Sequence, residues 1–309
     1  MEKAWQGCHE AIENSWIQPL SITEWFIDLH ELFKDVPEEG EAFALRLANG
    51  NFTHEQYFGL AMYYKLFGNE FIDKAIDLIA HEAADPTLPK QFRSQLLNLL
   101  GGYLVEAGRF EESKSVFKQL VEEEKSPLVL NNYAYVVGVY MDNPQEGLRL
   151  AKEAVLQAPR SPSVLDTVAV LYGRTGDYEK AAEIFDYLIQ VDPTNTKAMA
   201  KLAILYAEKL NQPERGLVFA QRARSLTPRL PEVLDALGWS YYQTGREEQA
   251  EDLLVRSLRQ GETMDAYIHL AQVVMNRGKF EDALGHLRMA QELADDTYSK
   301  KRISALRDD

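Results

Sequence analysis

Pro162-Ser-Val-Leu-Asp-Thr-Val-Ala-Val-Leu-Tyr-Gly-Arg-Thr-Gly176 returns further along the chain as Pro231-Glu-Val-Leu-Asp-Ala-Leu-Gly-Trp-Ser-Tyr-Tyr-Gln-Thr-Gly245, an offset of 69 residues (231 − 162 = 69). The residues ahead of each copy repeat as well: Asn143-Pro-Gln-Glu-Gly-Leu-Arg-Leu-Ala151 is echoed by Gln212-Pro-Glu-Arg-Gly-Leu-Val-Phe-Ala220. Each block divides into two units of about 34 residues, each a pair of short amphipathic helices, and that period is the mark of a helical solenoid.

The pattern inside a unit has a steric cause. The first helix (helix A) must lie close to its own second helix (helix B) and to the next helix A, so small residues are needed where backbones approach. In Pro162–Asn195 these are Ala169 and Ala181, with Val168, Tyr172, Phe185 and Leu188 filling the space between the helices. Gly176 ends helix A at a position free to take φ > 0. Pro193 closes the unit by blocking continuation of helix B. Leu234, Leu237, Gly238, Tyr241 and Ala250 match the Trp-x2-Leu-Gly-x2-Tyr … Ala pattern of the tetratricopeptide repeat (TPR). Met199, Leu202, Ala203, Tyr206 and Pro228, and again Leu130, Tyr133, Ala134 and Pro159, match it in part. Gly147 and Gly216 open two B helices where alanine is usual, after a turn one residue longer.

The chain therefore resembles the TPR family. The resemblance implies an all-α fold, a right-handed superhelical solenoid of antiparallel helix pairs with a C-terminal capping helix. Residues 1–53 read as degenerate N-terminal helices and 54–93 as a degenerate unit. A clearer unit spans 94–126, four regular units span 127–263, the last spans 264–295, and the cap is 296–309.

Composition sets outer bounds. An apolar content of 46% is ample for burial between neighbouring repeats, and a solenoid needs no single central core. No run of about 18 uncharged apolar residues suggests a membrane span. One cysteine, Cys8, excludes an internal disulfide. The net charge of −15 is uneven: residues 1–126 hold 11 Lys/Arg against 22 Asp/Glu, and residues 127–309 hold 22 against 26. That balance disfavours nucleic acid as the main ligand, since phosphate contacts need clustered cations.

Along the chain, Glu2–Trp16 reads as a helix B without its helix A, because Gly7, Ala11 and Pro19 have the spacing of Gly147, Ala151 and Pro159. Trp5, Ile12 and Trp16 would then lack a partner on one side, so further repeats are expected ahead of Met1. Met1–Cys8 has no signal-peptide pattern; the default compartment is the cytoplasm, with the periplasm open if an export signal lies upstream. Ser21-Ile-Thr-Glu24 and Thr53-His-Glu-Gln56 are capping boxes. The first starts a helix with Trp25, Phe26, Leu29, Leu32 and Phe33 on its apolar side. Pro37 starts another, ending near Asn49-Gly50. The third, from Thr53 to about Phe67, is followed by a helix over Phe71–Ala83, with Ala61 and Ala75 as packing positions. In Ser94–Lys125 serine 113 replaces the helix B alanine. The polar tail, with Lys300, Lys301, Arg302 and Arg307, leaves Ile303 and Leu306 to face the array.

Catalytic signals are poor. His81-Glu-Ala-Ala-Asp85 has aspartate where a zinc-protease motif needs its second histidine. His9 and Cys8 diverge by about 100° on a helix. No phosphate loop, nucleophile elbow or paired-cysteine spacing is present, and no cofactor or metal is expected. Asn51-Phe-Thr53 fits a glycosylation sequon that nothing else in the chain supports.

The resemblance instead directs attention to the concave face, which helix A lines in this family. Carried over one unit at a time, its ligand positions fall on Asn131, Asn132 and Tyr135; on Asp166, Thr167, Val170 and Arg174; and on Lys197, Lys201, Ile204 and Glu208. They continue with Glu232, Asp235, Trp239, Tyr242 and Gln243, then Asp265, His269, Gln272, Met275 and Asn276. Trp239 and Tyr242 offer large contact area with few rotors to freeze, although packing on the adjacent helix A is an equal alternative for Trp239. One TPR subclass clamps a C-terminal carboxylate with lysines and asparagines. Lys197 and Lys201 fit its final pair, but Asn131, Tyr135 and Thr167 stand where it needs other residues. The 69-residue pair with Tyr267-Ile-His-Leu-Ala271 also resembles bacterial TPR proteins of exopolysaccharide and protein-sorting systems. The expected function is a non-enzymatic scaffold that grips a peptide or helix of a protein partner, in a bacterial assembly or export system. The alternative is a self-assembling structural spacer. The sequence leaves partner, pathway and oligomeric state open.

Overall fold

The computed structural model describes residues 22–47, 52–294 and 296–308. The reading of Glu2–Trp16 as a lone helix B, the Ser21 capping box, the helix end near Asn49-Gly50 and the sequon at Asn51 lie outside the described residues. The described residues form α-helices in antiparallel pairs, with no strand among them. The chain divides into two compact units, Met1–Lys125 and Ser126–Asp309.

The first unit carries α1 (Ile22–Phe33), α2 (Pro37–Leu47), α3 (His54–Leu66), α4 (Ile72–Ala83), α5 (Lys90–Glu106) and α6 (Phe110–Glu123). Its core is aromatic. Trp25 meets Phe26 edge-on, Tyr63 lies among Phe26, Tyr64 and Phe67, and Phe33 packs on Phe43. Helix α3 opens with the capping box read from the sequence, Thr53 and Gln56 each bonding the other's backbone N–H. Ala61 and Ala75 are fully buried. Helix α5 starts at Lys90, earlier than Ser94 suggested. Ser113, the serine at an alanine position, is buried with its hydroxyl donating to the Gly101 carbonyl at 2.8 Å. The hydroxyl thus satisfies itself inside a helix contact and replaces alanine at little cost. His81 points to solvent with its side chain 82% exposed, and no metal-holding group exists among the described residues.

The second unit begins with α7 (Pro127–Tyr135), which runs into a π-helical turn (Val136–Tyr140), then α8 (Pro144–Gln157). Next come α9 (Pro162–Arg174), α10 (Tyr178–Val191), α11 (Thr196–Glu208), α12 (Pro213–Leu226), α13 (Pro231–Gln243) and α14 (Glu247–Gln260). The last pair is α15 (Met264–Asn276) and α16 (Phe280–Glu292), and α17 (Thr297–Asp308) ends the chain. Odd-numbered helices α7 to α15 are A helices and their successors B helices. Ala169, Ala181, Ala203, Ala250, Ala271 and Ala283 are all buried, as close backbone approach requires.

The duplication reappears helix for helix, since α9 and α13, and α10 and α14, have the same bounds at the 69-residue offset. In two hairpins the longer turn takes positive φ at Asp142 and Asn211 (52° each) in place of glycine; short polar side chains tolerate that conformation. The glycine one turn later in each has a packing reason. A Cβ on Gly147 would lie 2.6 Å from the Gly138 Cα and 2.7 Å from the Ala134 carbonyl, and one on Gly216 would lie 2.5 Å from the Ala203 carbonyl. These hairpins bring backbone against backbone, closer than the alanine-packed ones.

Candidate functional site

Residues three and four apart share one side of a helix. Asp166, Val170 and Arg174 on α9, Lys197, Lys201 and Glu208 on α11, Asp235, Trp239 and Tyr242 on α13, and Asp265, His269, Gln272 and Asn276 on α15 therefore form one row per A helix. Neighbouring rows are stitched together by ion pairs. Lys201 Nζ donates to both Asp166 carboxylate oxygens at 2.7 and 2.8 Å, and Lys197 Nζ lies 2.9 Å from Glu232 Oε1. These four side chains are between 30% and 62% exposed, so water screens both pairs.

The equivalent link between α13 and α15 is built differently. His269 Nδ1 lies 2.7 Å from Asp235 Oδ1 with both side chains almost wholly buried. Trp239, itself 3% exposed, stacks on the His269 ring at 4.2 Å between centroids and leans on Tyr242 at 5.2 Å. Burial pushes the Asp235 carboxyl above its ordinary range, against the opposing pull of His269. Trp239 Nε1 and His269 Nε2 are buried with no hydrogen-bond partner. The large aromatic surface of Trp239 thus goes into packing between A helices.

On α7, Asn131 is buried and its Nδ2 donates to Asn132 Oδ1 at 3.5 Å. Tyr135 is half-buried and meets Tyr140 edge-on, and burial pushes its hydroxyl up to about 12. Gln243 and Gln272 are half-buried, and exposed Asn276 donates to Glu247 on α14 at 2.7 Å.

Sequence reasoning missed the residues that cover this face. Arg174 Nη1 donates to the Val139 carbonyl, at the π-helical turn, at 2.9 Å. The same guanidinium holds the Asp296 carboxylate, at 3.2 Å to Oδ1 and 3.1 Å to Oδ2, and its carbon sits 4.6 Å from the centre of the Tyr298 ring. Asp296 is also the N-cap of α17, accepting from the Ser299 backbone N–H at 3.0 Å. Burial would raise the Asp296 carboxyl, but hydrogen bonds from Arg174 and Ser299 outweigh it and hold the group below its ordinary range. Further along α17, Arg302 reaches Asp265 at 2.6 Å and Glu208 at 3.5 Å, and Lys301 reaches Asp142 at 3.1 Å. Ile303 is fully buried and packs with Leu306 into the cluster formed by the last repeats. Helix α17 therefore caps the end of the array and also lies along its inner face from α9 to α15. The polar side of the tail faces water at Lys300 and Arg307, but not at Arg302. No local signal marked this contact, since Glu208, at the equivalent end of the next A helix, was as good a partner for Arg174 on sequence alone. Beside Tyr298 and Arg302 remains a cavity of ≈ 260 Å³, lined by Ala169, Val170, Ile204 and Leu205 among others.

A family model described as tetratricopeptide repeat matches residues 236–297. The chain is 24% identical over 186 residues to the cellulose synthase operon protein C of Pseudomonas fluorescens (strain SBW25), covering 56% of this chain and 14% of that protein. It is 23% identical over 171 residues to the TPR repeat-containing protein PA4667 of Pseudomonas aeruginosa, covering 55% and 29%. The chain thus spans less than a third of either relative. Among solved structures, a tetratricopeptide repeat protein from Parabacteroides merdae superposes with a TM-score of 0.64 at 16% identity, covering 83% of this chain and 99% of that one. The pilF protein of Pseudomonas aeruginosa gives 0.50 at 14% identity, covering 69% and 96%.

Proposed function

We propose that this chain, a tetratricopeptide-repeat protein resembling the bacterial TPR proteins of exopolysaccharide systems, is a non-enzymatic scaffold that grips a helix or peptide of a protein partner on its A-helix face. One observation supports this above the others: the inner rows present Arg174, Lys197, Lys201, Glu208 and Asp265 in register from successive helices, a ladder of charge and apolar gaps suited to an extended or helical ligand. Asp235 and His269, the one acid–histidine pair on this face among the described residues, argue for structure over catalysis. Their side chains are buried under Trp239, and the second histidine nitrogen has no hydrogen-bond partner. The likeness to the cellulose synthase operon protein C supports a place in a bacterial assembly or export system.

The test is capture of partners from the native cell extract with the wild-type chain and with Asp265→Lys. The Asp265 side chain is half exposed, so helical content should match wild type and the melting temperature should stay close to it. Loss of the captured partner is expected, and its undiminished retention would sink the groove reading. A mass that grows with concentration in light scattering would favour the self-assembling spacer instead.

A further inference from the structure

The inner face of the second unit is already occupied. Ile303 of α17 packs on the last repeats, while Asp296 at the N-cap and Tyr298, Lys301 and Arg302 along the helix reach this face. Each meets a complementary group. Asp296 is held by Arg174, Tyr298 lies against the same guanidinium, Arg302 bridges Glu208 and Asp265, and Lys301 takes Asp142. The contacts from Asp296 and Arg302 span three A helices that belong to different repeats, which a cap for the last repeat alone would not need.

The lysines of the inner face are neutralised within the array, Lys201 by Asp166 and Lys197 by Glu232. Arg174, Asp142 and Asp265 are not paired with one another; their ion-pair partners are on the C-terminal segment. The face is thus charged to receive a cationic helix with an acidic cap. The fit is also incomplete. The cavity of ≈ 260 Å³ beside Tyr298 and Arg302 is left open, so α17 occupies the groove without filling it.

We propose that α17 is a resident ligand of the groove and that a partner's cationic amphipathic helix with the same spacing, Asp-x-Tyr-x3-Arg followed by an aliphatic residue, displaces it. This deepens the scaffold reading and rests on it. Tethering explains how a modest set of contacts holds: α16 ends at Glu292, so α17 is attached a few residues away and acts at high effective concentration. The pairs made by Lys301 and Arg302 are partly exposed and individually weak, and the buried Arg174–Asp296 pair is replaced in kind by the partner's own aspartate. A free helix that also fills the cavity therefore competes once its concentration or its apolar fit makes up for the tether. Ile303 and Leu306, which pack on the last repeats, are separate from the charged contacts and can keep the cap in place when those are broken.

The probe is a synthetic peptide of residues 294–309 with a photoreactive phenylalanine in place of Tyr298. It is titrated against the full chain and against the full chain carrying Asp296→Ala, Tyr298→Ala and Arg302→Ala, which retains Ile303 and Leu306. Circular dichroism and melting temperature establish that the variant is folded. Binding at least tenfold tighter to the variant than to wild type is the expected result. Adding Arg174→Glu to the variant should abolish binding, and Asp296→Lys in the peptide should restore it, a rescue that general loosening does not produce. Equal affinity for both chains, or no binding to a folded variant, overturns the resident-ligand proposal. The site of labelling separates this from the scaffold reading. Equal affinity with label on α9 or α11 leaves the groove reading standing, whereas label confined to the outer B helices removes it too.

Discussion

The two 69-residue copies make the same connection in opposite ways. In the first, Asp166 on α9 meets Lys201 on the next A helix; in the second, Asp235 meets His269 at the same register. The first pair is in water and the second is sealed, because Trp239 stands where the first copy has Val170 and stacks over the histidine. The copies diverge again at the end of helix A, where Arg174 in the first corresponds to Gln243 in the second. A shared backbone therefore carries one solvated, charge-presenting segment and one buried, aromatic one. Duplication conserved the helix contacts and left the inner rows free to take different roles.

The largest test of this contrast is His269→Ala. It leaves the Asp235 carboxyl buried without its partner and opens space beneath Trp239, which should cost about 3–5 kcal/mol in urea denaturation followed by circular dichroism. A loss below about 1 kcal/mol would mean that the sealed pair behaves like the exposed one. Smaller, and equal in the two copies, is the cost of enlarging the packing positions. Ala181→Leu and Ala250→Leu should each overpack a helix contact by about 1–3 kcal/mol, and Gly147→Ala and Gly216→Ala should fall in the same range because the added methyl meets backbone. Unchanged melting temperatures in the alanine pair would break the repeat register.

A subtler difference is in pH dependence. Burial raises the Asp235 carboxyl above its ordinary 3.8, so the native state takes up its proton more readily than the unfolded chain. Its contribution to stability is present at low pH and is lost as pH rises through the folded value. Asp296 has the opposite sign. Burial is outweighed by its bonds to Arg174 and Ser299, so its contribution is present above the unfolded value and is lost as pH falls through the lower folded one. Asp235→Asn should make stability fall less steeply as pH is raised from about 4 to 7. In hydrogen exchange, protection of residues 297–308 should drop in wild type below about pH 4, and Asp296→Asn should abolish that step. Slopes of the same sign for the two variants would refute the assignment. Smallest of all is Lys201→Ala, at most about 1 kcal/mol and vanishing in high salt.

Much of this fold was legible because repeats state the same steric demand many times. Alanines 169, 181 and 250, the positive-φ glycines at 176 and 245, and the capping box at Thr53 all follow from local rules that one sequence displays. The inner rows were legible as positions but not as roles. Trp239 and His269 stand at positions that the resemblance assigns to ligands, yet whether an inward aromatic meets solvent depends on the next helix, which no local pattern encodes. The contact between Arg174 and Asp296 joins residues 122 apart, and no periodicity predicts it. The π-helical turn at Val136–Tyr140 was equally invisible, since its α11 counterpart in the duplicate continues as an ordinary helix to Glu208.

That long-range contact changes what kind of object the second unit is mechanically. Repeat arrays touch only neighbour to neighbour, so they yield one unit at a time, like links slipping from the end of a chain. A clasp from α17 back to α9 closes the intervening hairpins into a loop. The terminal repeat cannot peel away without first opening the clasp, and tension along the array is shared by the hairpins between. With the clasp shut the unit is a stiff brace; with it open, the same helices become a compliant spring.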